Sequence, residues 1–145
     1  MPLIEWSDNL SVKSRLLDTD HKRLIDLINK LYEASASSGQ NGSIDEAITM
    51  LISFTKTHFV HEETLMRKTA YPQLIPHKIS HDRLMTQVED FRKRLNAGQV
   101  GVSADTMIFL RTWLCDHVAR VDIHLGKWLA KVEPAQAAAG ATKNI

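Results

Sequence analysis

Apolar residues recur at alternating spacings of three and four along four stretches of the chain. This spacing places them on one face of an α-helix, and such a seam is typical of helices that pack at a shallow angle. Clusters of turn formers separate the stretches at residues 37–42, around Pro72 and Pro76, and between Gly98 and Gly101. We therefore predict an all-α fold, an up-and-down antiparallel four-helix bundle. No strand pattern in the sequence competes with it.

Local signals predict the helix ends and the extent of the domain. Ser43 opens a capping-box sequence, so the second helix should start there with Ser43 as its N-cap. Ser103 is the expected N-cap of the fourth helix. An N-terminal arm should precede the first helix and pack through Trp6. Residues 1–133 are expected to form one domain, followed by a disordered alanine-rich tail at 134–145.

Histidines interrupt all four seams at positions where leucine or isoleucine would be expected. A single buried histidine usually needs only a hydrogen-bond partner. Five imidazoles and a carboxylate in one bundle interior, however, would cost on the order of several kcal/mol unless something neutralises them. A metal is the usual solution in the core of a helix bundle. The seam positions concerned are His21, His58, Glu62, His77, His81 and His117.

The five seam histidines fall toward the same end of an antiparallel bundle. His58 and Glu62 are four residues apart, as are His77 and His81, so each pair projects from one helix face. The members of a pair are separated by about 6 Å along the axis, which suits two adjacent metal ions. Because side chains tilt toward the helix N-terminus, Glu62 leans back toward His58 and can bridge both ions.

Three other polar residues do not follow from simple helical spacing. Asp122 could bridge as Glu62 does, but it lies five residues after His117, about 140° around a straight helix. His61 lies off its seam and is predicted to be exposed or to support a ligand. His124 lies on its seam, about 10 Å beyond His117. That distance favours a place in the core or beside the ligands over a place in the same site.

Composition excludes several classes of function. The 145 residues include 18 Lys and Arg against 17 Asp and Glu, without blocks of like charge, so nucleic-acid binding has little electrostatic basis. No apolar run is long enough for membrane insertion, and the N-terminus does not resemble a signal peptide, so we expect a cytoplasmic protein. Cys115 is the single cysteine, which excludes a thiolate-cluster metal site. Imidazole and carboxylate donors suit iron, zinc, manganese or copper.

The chain resembles the hemerythrins, in particular single-domain bacterial hemerythrins. The resembling segments are residues 20–24, 58–63, 77–81 and 113–117, followed by Asp122. The resemblance implies a non-haem di-iron centre in which an oxo or hydroxo group and two carboxylates bridge two iron ions. The implied ligands are His77, His81 and His117 on one iron, His21 and His58 on the other, and Glu62 and Asp122 on both.

The resemblance also implies a function. In this family dioxygen binds reversibly at an open position of the second iron, so the protein would carry, store or locally supply oxygen and would not be an enzyme. Leu114 matches the family leucine that overhangs the oxygen pocket, and Trp113 and Phe59 are candidates for its lining, although plain core packing explains all three equally well. Two alternatives stay open. One is a di-iron enzyme acting on peroxide, nitric oxide or ferrous iron, and the other is an oxygen- or iron-sensing module that acts through a client protein.

Overall fold

The computed structural model describes residues 2–36 and 41–132 and confirms the predicted four-helix bundle. The described residues contain no strand, and the expected tail at 134–145 lies outside them. Among the described residues, no helix combines the length and the apolar composition that crossing a bilayer requires. The four helices are α1 (Arg15–Ala36), α2 (Asn41–Lys68), α3 (Leu74–Asn96) and α4 (Ala104–His117).

Contacts between α2 and α3 show the antiparallel arrangement directly. Near the start of α2, Thr49 Oγ1 accepts a hydrogen bond from Arg92 Nη2 at 2.8 Å, late in α3. Further along α2, Lys56 Nζ lies 2.9 Å from Glu89 Oε1. The earlier residue of α2 therefore contacts the later residue of α3, as it must when the two helices are antiparallel. The beginning of α3 consequently lies beside the end of α2, where His58 and its neighbours are found.

The arm before α1 packs onto the bundle as predicted. Ile4 N donates to Asn29 Oδ1 at 2.9 Å, and Asn29 Nδ2 donates back to Ile4 O at 2.8 Å. Trp6 is half-buried, and Lys22 Nζ lies 4.8 Å from the centre of its ring. Val12, at the end of the arm, is only 1% exposed. The arm thus covers the outer face of α1 and extends the apolar core.

The helix starts were predicted correctly in one case and not in the other. Ser103 is the N-cap of α4, and its side chain accepts a hydrogen bond from Thr106 N at 3.2 Å. The prediction of Ser43 as an N-cap is wrong, because α2 already begins at Asn41. The first N–H groups of a helix lack intrahelical acceptors in any case, so Asn41 and Gly42 can adopt helical backbone there without losing a bond.

The last helix changes its winding after α4. Val118–Asp122 form a π-helical turn, and residues 123–132 continue as an α-helix, which we call α5. The extra residue rotates all later positions by about 100° relative to an unbroken α-helix. As a result Leu125 and Leu129 are buried and His124 is exposed. The prediction that His124 lies in the core or beside the ligands is therefore wrong.

Candidate metal centre

The seven predicted ligands lie together in the interior of the bundle. Each of them is at most 5% exposed. They come from every helix of the bundle, at the end where α1 and α3 begin and where α2 and α4 finish. Helix by helix they are His21, then His58 and Glu62, then His77 and His81, then His117 and Asp122.

The candidate ligand atoms form two groups that share two carboxylates. Within each group, every ligand atom lies within 4.8 Å of every other. Glu62 and Asp122 belong to both groups. We call the group that also contains His77, His81 and His117 the three-imidazole group. We call the group that also contains His21 and His58 the two-imidazole group.

Asp122 turns one oxygen toward each group. Its Oδ1 lies 3.0 Å from His77 Nε2 and 3.1 Å from His117 Nε2, both in the three-imidazole group. Its Oδ2 lies 2.9 Å from His21 Nε2, in the two-imidazole group. The carboxylate therefore stands between the two groups in the orientation that bridging requires.

Glu62 divides its oxygens in the same way. Its Oε1 lies 3.0 Å from His81 Nε2 and 3.3 Å from His77 Nε2. Its Oε2 lies 3.3 Å from His58 Nε2 and 3.7 Å from His21 Nε2. Each of the two carboxylates thus directs one oxygen to each group. This arrangement defines two adjacent positions for ions.

Hydrogen bonding does not account for these short distances. Buried polar atoms normally have partners, and leaving them without any costs free energy. Here the atoms converge on common points instead of pairing donor to acceptor, as ligands do around an ion. The buried atoms without a hydrogen bond of normal geometry include Nε2 of His21, His77, His81 and His117 and all four oxygens of Glu62 and Asp122.

Charges inside the cluster shift its protonation strongly. Burial lowers the pKa of His58 and His77, but the close contacts and opposite charge of the surrounding carboxylates outweigh it and raise these values to about 10 and about 9. Burial raises the pKa of Glu62 and Asp122, yet the neighbouring histidines hold both below their ordinary values. Without metal the cluster therefore retains protons that cations can replace.

The π-helical turn explains why Asp122 joins the cluster. On an α-helix a residue five positions after His117 would point away from it, but Val118–Asp122 are wound with about one more residue per turn. Asp122 therefore returns to the face of His117, and the two side chains meet at 3.1 Å. Single π-turns are frequent at functional sites for this reason.

Two carboxylates outside the predicted ligand set contact candidate ligands from behind. Asp20 Oδ2 lies 2.8 Å from His58 Nδ1 and 2.8 Å from His61 Nδ1. Glu63 Oε2 lies 3.0 Å from His81 Nδ1. Carboxylates in this position fix the orientation of a metal-binding imidazole. The signal in the sequence is that each directly adjoins a predicted ligand. His61 contacts Asp20 and is therefore connected to His58 through that carboxylate.

The remaining imidazoles are held less firmly at their outer nitrogens. His117 Nδ1 lies 3.3 Å from Ser80 Oγ. The Nδ1 atoms of His21 and His77 are buried and have no hydrogen-bond partner among residues 2–36 and 41–132. Burial raises the pKa of Asp20, but its hydrogen bonds to the two histidines of α2 outweigh this and hold the pKa below its ordinary value. Asp20 therefore keeps its negative charge behind the cluster.

Two of the three predicted pocket residues stack on candidate ligands, and all three line one apolar cavity. The ring of Phe59 stacks on His81 with centroids 3.7 Å apart, and that of Trp113 stacks on His117 at 4.5 Å. Leu114 is 4% exposed. All three line a cavity of about 430 Å³ that runs between the four helices. Phe59 and Trp113 thus have a packing role whatever else they do.

Comparison with known proteins agrees with this geometry. The family model "Hemerythrin HHE cation binding domain" matches residues 12–129. A bacteriohemerythrin of Methylococcus capsulatus is 34% identical over 131 residues, covering 90% of this chain and 99% of its own. A bacteriohemerythrin of Stenotrophomonas maltophilia is 32% identical over 118 residues, covering 81% and 76%.

Solved structures give the same result for the fold. A wild-type hemerythrin crystal structure matches with a TM-score of 0.84 and 34% sequence identity, over 88% of this chain and 98% of that one. The residues matched by the family model contain all seven candidate ligands. From the family match over residues 12–129, the shared sequence and the shared fold, we conclude that the chain belongs to the hemerythrin family.

Proposed function

We propose that the cluster holds two iron ions and that the protein binds dioxygen reversibly, for transport, storage or local supply. One observation carries this proposal. Glu62 and Asp122 each direct one oxygen to the three-imidazole group and the other to the two-imidazole group. Two ions bridged by two carboxylates fit this arrangement, and membership of the hemerythrin family supports iron as the metal.

The two groups offer unequal numbers of donors. Counting one oxygen from each shared carboxylate, the three-imidazole group provides five protein donors and the two-imidazole group four. Iron sites that react with oxygen keep open positions for it. The two-imidazole group is therefore the proposed side for an exogenous ligand, with His21 and His58 as its imidazoles. An oxo or hydroxo bridge would supply a further shared donor.

The iron pair, when bound, would supply the electrons that make dioxygen binding reversible. The residues of this chain would orient the ions and exclude water. Imidazoles outnumber carboxylates in the cluster, and we propose that this limited negative charge favours reversible binding over strongly oxidising chemistry.

The apolar cavity suits the passage of a small neutral ligand toward the cluster. Its wall reaches Leu24, Phe59 and Leu114, each within one helical turn of a candidate ligand. At the other end its lining includes the exposed residues Asp90 and Arg94 on α3, so it meets the surface there. An apolar cavity admits a neutral apolar molecule such as dioxygen and offers water few hydrogen bonds. We propose that it leads dioxygen toward the two-imidazole group.

The test measures iron per chain and follows the visible spectrum of the anaerobically reduced protein. The spectrum is recorded before oxygen is admitted, after it is admitted, and after it is removed again. We expect about two irons per chain, as the two groups imply, and a colour change that reverses. Irreversible oxidation would replace the proposal with an enzyme acting on peroxide, nitric oxide or ferrous iron. A reversible change that appears only with a bound partner protein would favour a sensor.

A further inference from the structure

Asp20 holds two histidines of the neighbouring helix with a single oxygen. It lies on α1, is 6% exposed, and its Oδ2 is 2.8 Å from Nδ1 of both His58 and His61. A carboxylate oxygen accepts hydrogen bonds, so each imidazole must carry its proton on Nδ1. The lone pair of a neutral His58 then lies on Nε2, which faces Glu62 at 3.3 Å. Asp20 thus selects the form of His58 that can bind a cation.

We propose that Asp20 is the positioning residue of the two-imidazole group, fixing the tautomer and the ring orientation of His58 while His61 holds Asp20 in place. This inference rests on the proposed function, because it assumes that His58 Nε2 meets a metal ion. Asp20 itself is not a ligand. Its Oδ2 contacts His58 at Nδ1, whereas Glu62 faces the other ring nitrogen, Nε2.

His61 restrains Asp20 from the surface side. It is three residues after His58, on the same face of α2, so both rings reach one oxygen. Its side chain is 40% exposed, whereas that of Asp20 is 8% exposed. Since both donors meet Oδ2, rotation of the carboxylate would break both hydrogen bonds together. The pair of donors therefore holds Asp20 more firmly than His58 alone could.

The effect of Asp20 should be confined to one group. In the two-imidazole group the other imidazole, His21, has no hydrogen-bond partner at Nδ1 in the part of the chain that the structure describes. In the three-imidazole group, Glu63 and Ser80 stand behind His81 and His117 instead. Within the described residues, Asp20 is therefore the side chain that braces an imidazole of the two-imidazole group. Loss of the Asp20 side chain should therefore weaken the binding of one of the two ions.

The experiment follows iron release from the loaded holoprotein to a strong chelator. In Asp20→Ala we expect one of the two irons to leave about 10–100-fold faster, the usual effect of removing such a support, while the other leaves at the wild-type rate. Asp20→Asn keeps one acceptor oxygen for His58 and should recover part of the loss. The asparagine variant also allows the measurement if the alanine variant folds poorly. His61→Ala should have a smaller effect in the same direction.

Asp18→Ala is the matched control. Asp18 lies on the same helix and also accepts two hydrogen bonds, from Ser11 Oγ at 2.6 Å and Val12 N at 2.9 Å, so these partners belong to the arm and not to the candidate ligands. Its replacement should lower the melting temperature and leave both rates of iron release unchanged. A purely structural role for Asp20 would produce the same result in Asp20→Ala.

The outcomes separate this inference from the proposed function. Equal acceleration of both irons in Asp20→Ala, or acceleration of neither, overturns the positioning role. Wild-type protein with two irons and selective release in the variant, but without reversible oxygen binding, overturns oxygen carriage and supports the role of Asp20. Wild-type protein that binds no iron overturns both, because His58 would then have no ion to meet.

Discussion

His77 lies between the two bridging carboxylates, and its replacement should affect both. Its Nε2 is 3.0 Å from Asp122 Oδ1 and 3.3 Å from Glu62 Oε1. His77→Ala removes a donor and leaves buried negative charge less well compensated, so we expect iron content and melting temperature to fall. Metal analysis and thermal unfolding measure these effects. The exposed His124 supplies the control, since His124→Ala should change neither, and full iron content in His77→Ala would contradict the assignment.

Replacing Leu114 tests whether this residue only packs the core or also shields the proposed oxygen-binding pocket. Leu114→Ala should keep both irons but widen the cavity beside the cluster, which admits water and speeds autoxidation of the oxygenated protein. The lost packing should lower the free energy of unfolding by about 2–5 kcal/mol. Leu129 is 1% exposed and does not line that cavity, so Leu129→Ala should cost similar stability without faster autoxidation. Equal autoxidation rates in the two variants would reduce Leu114 to a core residue.

A residue's place in the site could be predicted where it follows from spacing along that residue's own helix. His58 and Glu62 share a face through simple spacing, so the sequence alone brought them together. Asp20 contacts His58 across two helices, and it lies about 100° around α1 from its neighbour His21. Its importance follows from how α1 and α2 are rotated against each other, and helical periodicity gives that rotation only coarsely.

At the level of helices, the π-helical turn limits what periodicity can predict. The pairs at 58 and 62 and at 77 and 81 are four residues apart, whereas His117 and Asp122 are five apart. One additional residue in Val118–Asp122 gives the last pair the same facing relation as the others. It also rotates His124 outward, which is why the seam drawn through that residue is wrong. No residue type in this stretch marks the change of winding.

The crossing of the arm over α5 depends on Gly126. A Cβ atom there would lie 1.9 Å from Val12 O and 2.9 Å from Val12 C, so the arm would have to move. Gly126→Ala should therefore lower the free energy of unfolding by about 1–3 kcal/mol, as overpacking generally does, while both irons stay bound. A Cβ on Gly101 meets no atom within 4 Å, so Gly101→Ala should be tolerated. Equal melting temperatures of the two variants would show that the arm is not tightly held.

For the whole molecule, the bundle was predictable because each helix carries its own apolar seam and the polar positions repeat at one end. The four helices, the cap at Ser103 and the packed arm all follow from short-range signals. The cytoplasmic location, the lack of nucleic-acid binding and the client protein remain predictions, because composition bears on them and the fold does not. The same holds for the tail at 134–145, which lies outside the described residues.

The cluster should make the stability of the whole protein depend on pH more strongly without metal than with it. In the metal-free protein the pKa values of His58 and His77 are about 10 and about 9, against an ordinary value of 6.5. Between these limits the folded protein binds more protons than the unfolded chain, so stability is greatest below pH 6.5 and falls as the pH rises toward 10.

Bound cations would displace those protons, so the loaded protein should lack this decline, and metal affinity should rise over the same pH range. Chemical unfolding of both forms from pH 6 to pH 10 measures the difference, because this range covers the pKa values of about 10 and about 9. Other groups that titrate at alkaline pH affect both curves alike. We expect the curves to diverge steadily as the pH increases. Parallel curves would mean that the buried histidines hold no protons for a metal to replace, and the charge balance argued for the cluster would be wrong.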